Sequence, residues 1–175
     1  MPARRTNIHH GQTMTDRAYI TLLADAAETI RNAAWAAIPR ETGGILIGWR
    51  GGTSRLTVSV HTALVVEDQA AAHTTYELNR DRAQIALDTY IAGQNDCNLG
   101  YVGEWHSHPA PQPPSPQDLR SLRASARLAS GPVALVVPAV APAHKGLTWH
   151  GRVAERRSRL RSIKIHAANP KEQRP

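Results

Sequence analysis

Residues 104–118 read Glu-Trp-His-Ser-His-Pro-Ala-Pro-Gln-Pro-Pro-Ser-Pro-Gln-Asp, and this stretch holds the residue types best able to do chemistry. His106 and His108 stand at i and i+2, so on a strand both imidazoles leave the same face. Asp118 follows a short Pro-rich loop, near enough in sequence to fold back onto them. Two neutral imidazoles and one carboxylate suit zinc and leave a fourth position open for water. Zinc held in this way acidifies water and polarises a carbonyl, the two demands of amide hydrolysis. A lone His-x-His is weak evidence, because two histidines on one strand face are often plain surface residues. The residues around the pair make the stronger case.

Asn98 to Trp105 reads as a short strand leading straight into the histidines, and Pro109 ends it. Ser115-Pro116-Gln117-Asp118 then has the form of a helix start. Ser115 is a good N-cap, Pro116 suits the first helical position, and Asp118 falls in the first turn, where a carboxylate is favoured. Leu119, Leu122, Ala126 and Leu128 continue that helix by their spacing. Strand end, tight loop and helix N-terminus thus place all three side chains on rigid supports.

Hydrolysis also needs a base. Glu41 stands in Pro-Arg-Glu-Thr-Gly-Gly-Ile-Leu-Ile-Gly, at the mouth of an apolar run that reads as a buried strand, with Gly43 and Gly44 allowing close backbone packing. A carboxylate at the end of a core strand can reach a site on its neighbour, though a single glutamate in a loop reads equally as a solvated residue. Glu104 is a rival, since it shares the face of His106 and His108 on a regular strand. It could fix a histidine tautomer from behind, or simply be an outward charge.

Taken together, Glu41-x-Gly-Gly-Ile-Leu-Ile-Gly, His106-Ser107-His108-Pro109 and Ser115-x-x-Asp118 resemble the JAMM (MPN-plus, JAB domain) zinc metallopeptidases. The resemblance runs from the helix before Glu41 to the strand near Val137. It implies one zinc ion on His106, His108 and Asp118 with a water as fourth ligand, Glu41 as general base and Ser115 as hydrogen-bond donor to the developing oxyanion. It also implies an α/β fold, a single mixed β-sheet flanked by helices, similar to cytidine deaminases. The family usually has seven residues between the second histidine and the serine, whereas six, Pro109 to Pro114, stand here. Because Ser115-x-x-Asp118 keeps its spacing, the difference lies in the stiff loop before the cap. The surrounding Gly-Glu-Trp-His-Ser-His-Pro looks like the prokaryotic branch found beside ubiquitin-transfer-like enzymes, including antiphage operons. The implied substrate is the bond after the C-terminal tail of a ubiquitin-like modifier or conjugated protein. Two alternatives remain: a non-enzymatic MPN-like interaction module and a small-peptide metallohydrolase.

Composition fits this reading. The 175 residues allow one domain with a real core, and no internal repeat is visible. The single Cys97 excludes an internal disulfide and reads as structural; with no signal-like segment and no run able to span a bilayer, a cytoplasmic location is expected. Residues 152–175 carry eight Lys/Arg against two Glu, so most of the net charge of +7 lies there. Without aromatic residues for base stacking, this stripe gives nucleic-acid binding only as a side possibility and fits an acidic partner equally well. The signatures of zinc deaminases, serine hydrolases, P-loop and dinucleotide-binding proteins are all missing.

The expected organisation is a flexible leader over 1–16, the metallopeptidase domain over 17–166 and a basic tail over 167–175. Strands are expected at Tyr19–Leu23, Ile45–Ile47, Leu56–Val60, Ala63–Val66, His73–Leu78, Pro132–Pro138, Leu147–Trp149 and Leu160–Ile165, with a turn at Gly51-Gly52. Helices are expected from Ala24 to Ile38, ended by Pro39, and from Asn79 to near Gly93, besides the one capped by Ser115. The segment His73–Leu78 is the expected place for an extended substrate tail to pair.

Overall fold

A computed structural model describes residues 18–51, 57–67, 75–141, 146–156, 161–163 and 165–167. Its elements are β1 (Tyr19–Leu22), α1 (Ala24–Ala37), β2 (Gly43–Gly51), β3 (Thr57–Val65), α2 (Arg80–Ala92), β4 (Gly100–His106), α3 (Pro116–Leu128), β5 (Val133–Ala141), β6 (Gly146–Ala154), β7 (Arg161–Ile163) and β8 (Ile165–Ala167). The expected leader over 1–16 lies outside the described residues, as do Gly52 of the expected turn, His73 and Thr74, and nearly all of the tail.

The eight strands form one mixed sheet in the order β7-β6-β5-β4-β2-β3-β1-β8. Pairs β4–β5, β1–β3 and β1–β8 are parallel, and the others are antiparallel. The expected fold class is therefore the observed one. Although β7 and β8 are separated by one residue, they pair at opposite ends of this order. One short piece of chain thus draws the two edges together, and a Cβ on Gly151 of β6 would meet the Ile165 side chain of β8 at 2.8 Å.

Helix α1 covers one face of the sheet. Its Ala26, Ala27 and Ile30 pack with Ile20, Leu46, Val58, Val60, Trp105 and Val136. On the other face, α3 presents Leu122 and Ala126 to Val133, Leu135 and Val137. Beside it, α2 brings Ala83 against Ile45 and Ile47. This explains why Ile45-Leu46-Ile47 is apolar throughout: its side chains alternate between two covered faces.

Five expectations need correction. Leu56–Val60 and Ala63–Val66 merge into the single strand β3, because a bulge accommodates His61: Ile47 faces Thr62 while Gly48 faces Val60. From Thr75 to Asn79 there is no strand; the Tyr76 N–H donates to the Glu41 carboxylate at 2.7 Å and its hydroxyl to the Val66 carbonyl at 2.9 Å. β5 runs on through Pro138 to Ala141, since a proline lacks only the donor, and its carbonyl accepts from His108 N–H at 2.9 Å. Leu128 falls off the apolar stripe of α3 and is 82% exposed. Cys97 is exposed in the turn before β4 and fills no core position.

Candidate metal centre

The two histidines are set by different devices. His106 ends β4, paired with Gly43 of β2. Ser107 breaks the strand and turns inward, where it is almost fully buried. Its N–H donates to the Thr42 carbonyl at 2.7 Å, and its Oγ accepts from the Thr42 N–H at 3.0 Å. His108 then rejoins the sheet by a parallel bridge to Ala139, donating to Pro138 O and accepting from Val140 N–H at 2.8 Å. The extension of β5 past its proline is thus what holds the second histidine. The expectation of strand end, loop and helix start carrying three side chains is met, with that extra strand contact added.

Asp118 arrives from α3. Ser115 is its N-cap and Pro116 opens the helix. The Ser115 hydroxyl oxygen accepts from Asp118 N–H at 3.2 Å, and the Ser115 N–H donates to Asp118 Oδ2 at 2.5 Å, a reciprocal capping box. The loop of six residues delivers this cap to the histidines without displacing it.

The ligating atoms converge. His106 Nε2 and His108 Nε2 are 3.2 Å apart, His106 Nε2 lies 3.4 Å from Asp118 Oδ1, and His108 Nε2 lies 3.5 Å from Asp118 Oδ2. A tetrahedral zinc with ligands at about 2.0–2.1 Å has edges of about 3.3 Å. The three separations match those edges, and the group could hold a metal ion. His108 Nδ1 lies 3.0 Å from the Gln112 carbonyl, which can only accept. Nδ1 therefore carries the proton of a neutral His108 and Nε2 keeps its lone pair for the centre.

Charge follows the same pattern. Burial alone would raise the Asp118 carboxyl, but the hydrogen bonds that both imidazoles give when Nε2 carries a proton, and one from the Ser115 N–H, hold it far below the usual carboxylate range. Burial lowers the proton affinity of His108, yet Asp118, the Gln112 carbonyl and Glu41 outweigh it and leave the value raised. Glu41 raises the proton affinity of His108 by its charge and is linked to the site through Tyr76. One of its oxygens, Oε2, is anchored by the Tyr76 N–H. The Tyr76 ring lies parallel to that of His106 with centroids 6.4 Å apart. Tyr76 and Asp118 both line a cleft of about 150 Å³ that opens over His106.

Glu104 shares the face of His106, as expected, and lines the same cleft, but one of its oxygens is engaged on the side of α3. A bulge in β4 sets Leu46 opposite Gly103 but Ile47 opposite Tyr101, so Val102 is the extra residue. The skipped residue turns Tyr101 onto the face of Glu104, and its hydroxyl donates to Glu104 Oε1 at 2.9 Å. The Ser125 hydroxyl of α3 donates to the same oxygen at 2.7 Å. Burial, and then the charge of Glu104, push the Tyr101 phenol well above its ordinary pKa and keep it a donor. Ser107, Gln112, Tyr76 and the pair Tyr101–Ser125 were not singled out from sequence. Their parts come from backbone groups and from a bulge, which leave no residue-type signature.

A helix-flanked mixed sheet with two histidines at a strand end and an aspartate in the adjoining helix start defines an α/β domain with a group that could hold a metal ion. The family model "Prokaryotic homologs of the JAB domain" matches residues 23–158, and the chain belongs to that family. Over 83 residues it is 37% identical to a protein named "CD-NTase/cGAS isopeptidase" from Enterobacter hormaechei subsp. hoffmannii (strain UCI 50); the aligned part is 47% of this chain and 44% of that protein. The match thus spans less than half the length of this relative. Among solved structures, a Desulfitobacterium hafniense protein is similar with a TM-score of 0.54 and 21% identity, over 89% of this chain and 99% of that one. A protein from Salinibacter ruber (strain DSM 13855) is similar with a TM-score of 0.53 and 24% identity, over 86% and 93% of the two chains. Those two likenesses concern the fold alone. No helix among the described residues is long and apolar enough to cross a membrane.

Proposed function

We propose that this chain is a zinc-dependent isopeptidase that releases proteins conjugated through the C-terminal tail of a ubiquitin-like modifier. The observation that carries this is the triangle of His106, His108 and Asp118, with donor separations of 3.2, 3.4 and 3.5 Å. Family membership and the name of the Enterobacter relative support the deconjugating side of the reading. A conjugated CD-NTase or cGAS, as that name has it, is the first substrate to try, in the setting of antiphage defence with ubiquitin-transfer-like enzymes as neighbours.

His106, His108 and Asp118 would hold the zinc, which when bound supplies a Lewis acid that acidifies water and polarises the scissile carbonyl. Glu41, anchored through Oε2, uses its other oxygen to take a proton from the attacking water. As the carbon–nitrogen bond breaks, Glu41 returns that proton to the leaving amine. Ser115 spends its oxygen lone pair on the Asp118 N–H and keeps its hydroxyl proton to donate to the oxyanion.

The test is cleavage of modifier–reporter fusions joined at C-terminal glycines, with and without chelator, together with metal analysis. Chelator-sensitive release at the junction is expected. Zinc-dependent hydrolysis of short peptides with no fusion cleaved would replace the isopeptidase by a small-peptide hydrolase. Stoichiometric zinc with no hydrolysis of either would leave an interaction module.

A further inference from the structure

A second cleft, of about 290 Å³, lies between α2 and α3 on the same face of the sheet. Its walls are Ile45, Ala83, Leu87, Leu128 and Ala129, and Arg80 and Glu104 line both this cleft and the one over His106. The two clefts are therefore neighbours, with a cation and a carboxylate lining both. Small-molecule sites run from about 300 to 1,000 Å³, so this volume suits one side chain better than a whole metabolite.

Three features point to what enters. Leu128 is 82% exposed although it stands on a helix whose buried stripe needs none of it, and it lines this cleft. Glu104 Oε1 is taken by the Tyr101 and Ser125 hydroxyls, and among the described residues no hydrogen bond engages Oε2. Arg80, exposed and lining both clefts, brings donors. An extended peptide presents both an N–H and a carbonyl at every residue, so one acceptor and one donor flanking an apolar recess match one residue of such a chain. Glu104 and His106 are two residues apart on β4, about 7 Å. That is also the spacing between same-face side chains of an extended substrate.

We propose that the α2–α3 cleft is a specificity subsite that takes one apolar side chain of the substrate, about two residues from the reacting carbonyl. Glu104 accepts from that residue's main-chain N–H and Arg80 donates to its carbonyl. This rests on the peptidase reading of the neighbouring centre. It gives Glu104 a binding role rather than that of base.

The test uses the full chain and two minimal probes, N-acetyl-leucine methylamide and N-acetyl-glycine methylamide, followed by the methyl NMR signals of Ile45, Leu87 and Leu128. The leucine probe should shift these signals and bind about 10-fold more tightly than the glycine probe, the usual gain from burying such a side chain. Leu87→Ala with Leu128→Ser should collapse that ratio to below about 3-fold. Glu104→Gln with Arg80→Gln should instead weaken both probes and leave the ratio in place. A parallel arm measures zinc-dependent cleavage of a peptide library randomised on both sides of the scissile bond, where one position should favour apolar residues. Equal binding of the two probes, shifts elsewhere on the molecule, or an unchanged ratio in the Leu87/Leu128 variant would overturn the subsite, even with cleavage intact. Leucine-probe binding at the cleft with no peptide or fusion cleaved would sustain the subsite and remove the peptidase reading.

Discussion

At the scale of single residues, roles divide according to which atoms are already occupied. His106, His108 and Asp118 aim their ligating atoms at one point, so replacing any one of them by Ala leaves only two donors. Metal analysis should then find the bound zinc lost, and full retention after His108→Ala would remove the assignment. Glu41 is not one of the converging three. Glu41→Gln should keep zinc and fold while lowering turnover by about 10²–10⁴-fold. An active Glu41→Gln beside a dead Glu104→Gln would exchange the two carboxylates, against the hydroxyl bonds that hold Glu104 toward α3. The convergent set was legible in sequence because a period of two and a helix cap are written in residue types. The hydroxyl partners of Glu104 were not, because the bulge at Val102 that turns Tyr101 toward it is a matter of pairing register between β2 and β4.

At the scale of elements, two junctions tie Glu41 and the proposed metal centre into the sheet. The first is the start of β2, where a Cβ on Gly43 would stand 2.5 Å from both the Tyr76 ring and the Trp105 carbonyl. Gly43→Ala should therefore displace Tyr76, whose N–H anchors Glu41, press on the backbone beside His106, and lower kcat; unaltered kinetics would show that the anchor is dispensable. The second is the capping box of α3. Ser115→Ala removes a cap worth about 1 kcal/mol, whereas loss of an oxyanion donor costs about 10²–10³-fold in kcat. A lower Tm with unchanged kcat would leave Ser115 only its structural part. The cap could be read from Ser115-Pro116-Gln117-Asp118 alone, since each residue type there has a fixed reason for its place. The continuation of β5 through Pro138 could not, because proline reads as a strand end until a neighbour is found for its carbonyl. Nor could the irregular path of Thr75–Asn79 be read, since Tyr76 bonds to a carboxylate 35 residues away instead of to a strand.

At the scale of the whole molecule, the proposed catalytic face and the closure of the sheet are separate. The proposed centre, its base and the α2–α3 cleft lie at one end of β4, on the face covered by α2 and α3. The segment carrying β7 and β8 instead joins the two sheet edges and packs against the core under α1, where Ile163 is only 9% exposed and belongs to the cluster of Ile20, Val58 and Val153. Its short strands gave only a faint signal in sequence, one run from Leu160 to Ile165, because three residues are too few for alternation to show. If the closure is structural, Ile163→Ala should destabilise the protein by about 2–5 kcal/mol, the range for a large-to-Ala change in a core. Urea unfolding would show this as a lower midpoint, and zinc content and kcat measured below the transition should stay as in the parent chain. Loss of zinc in the still-folded variant would mean that the closing segment also sets the geometry of the metal centre, through β6 and the β5 extension that holds His108.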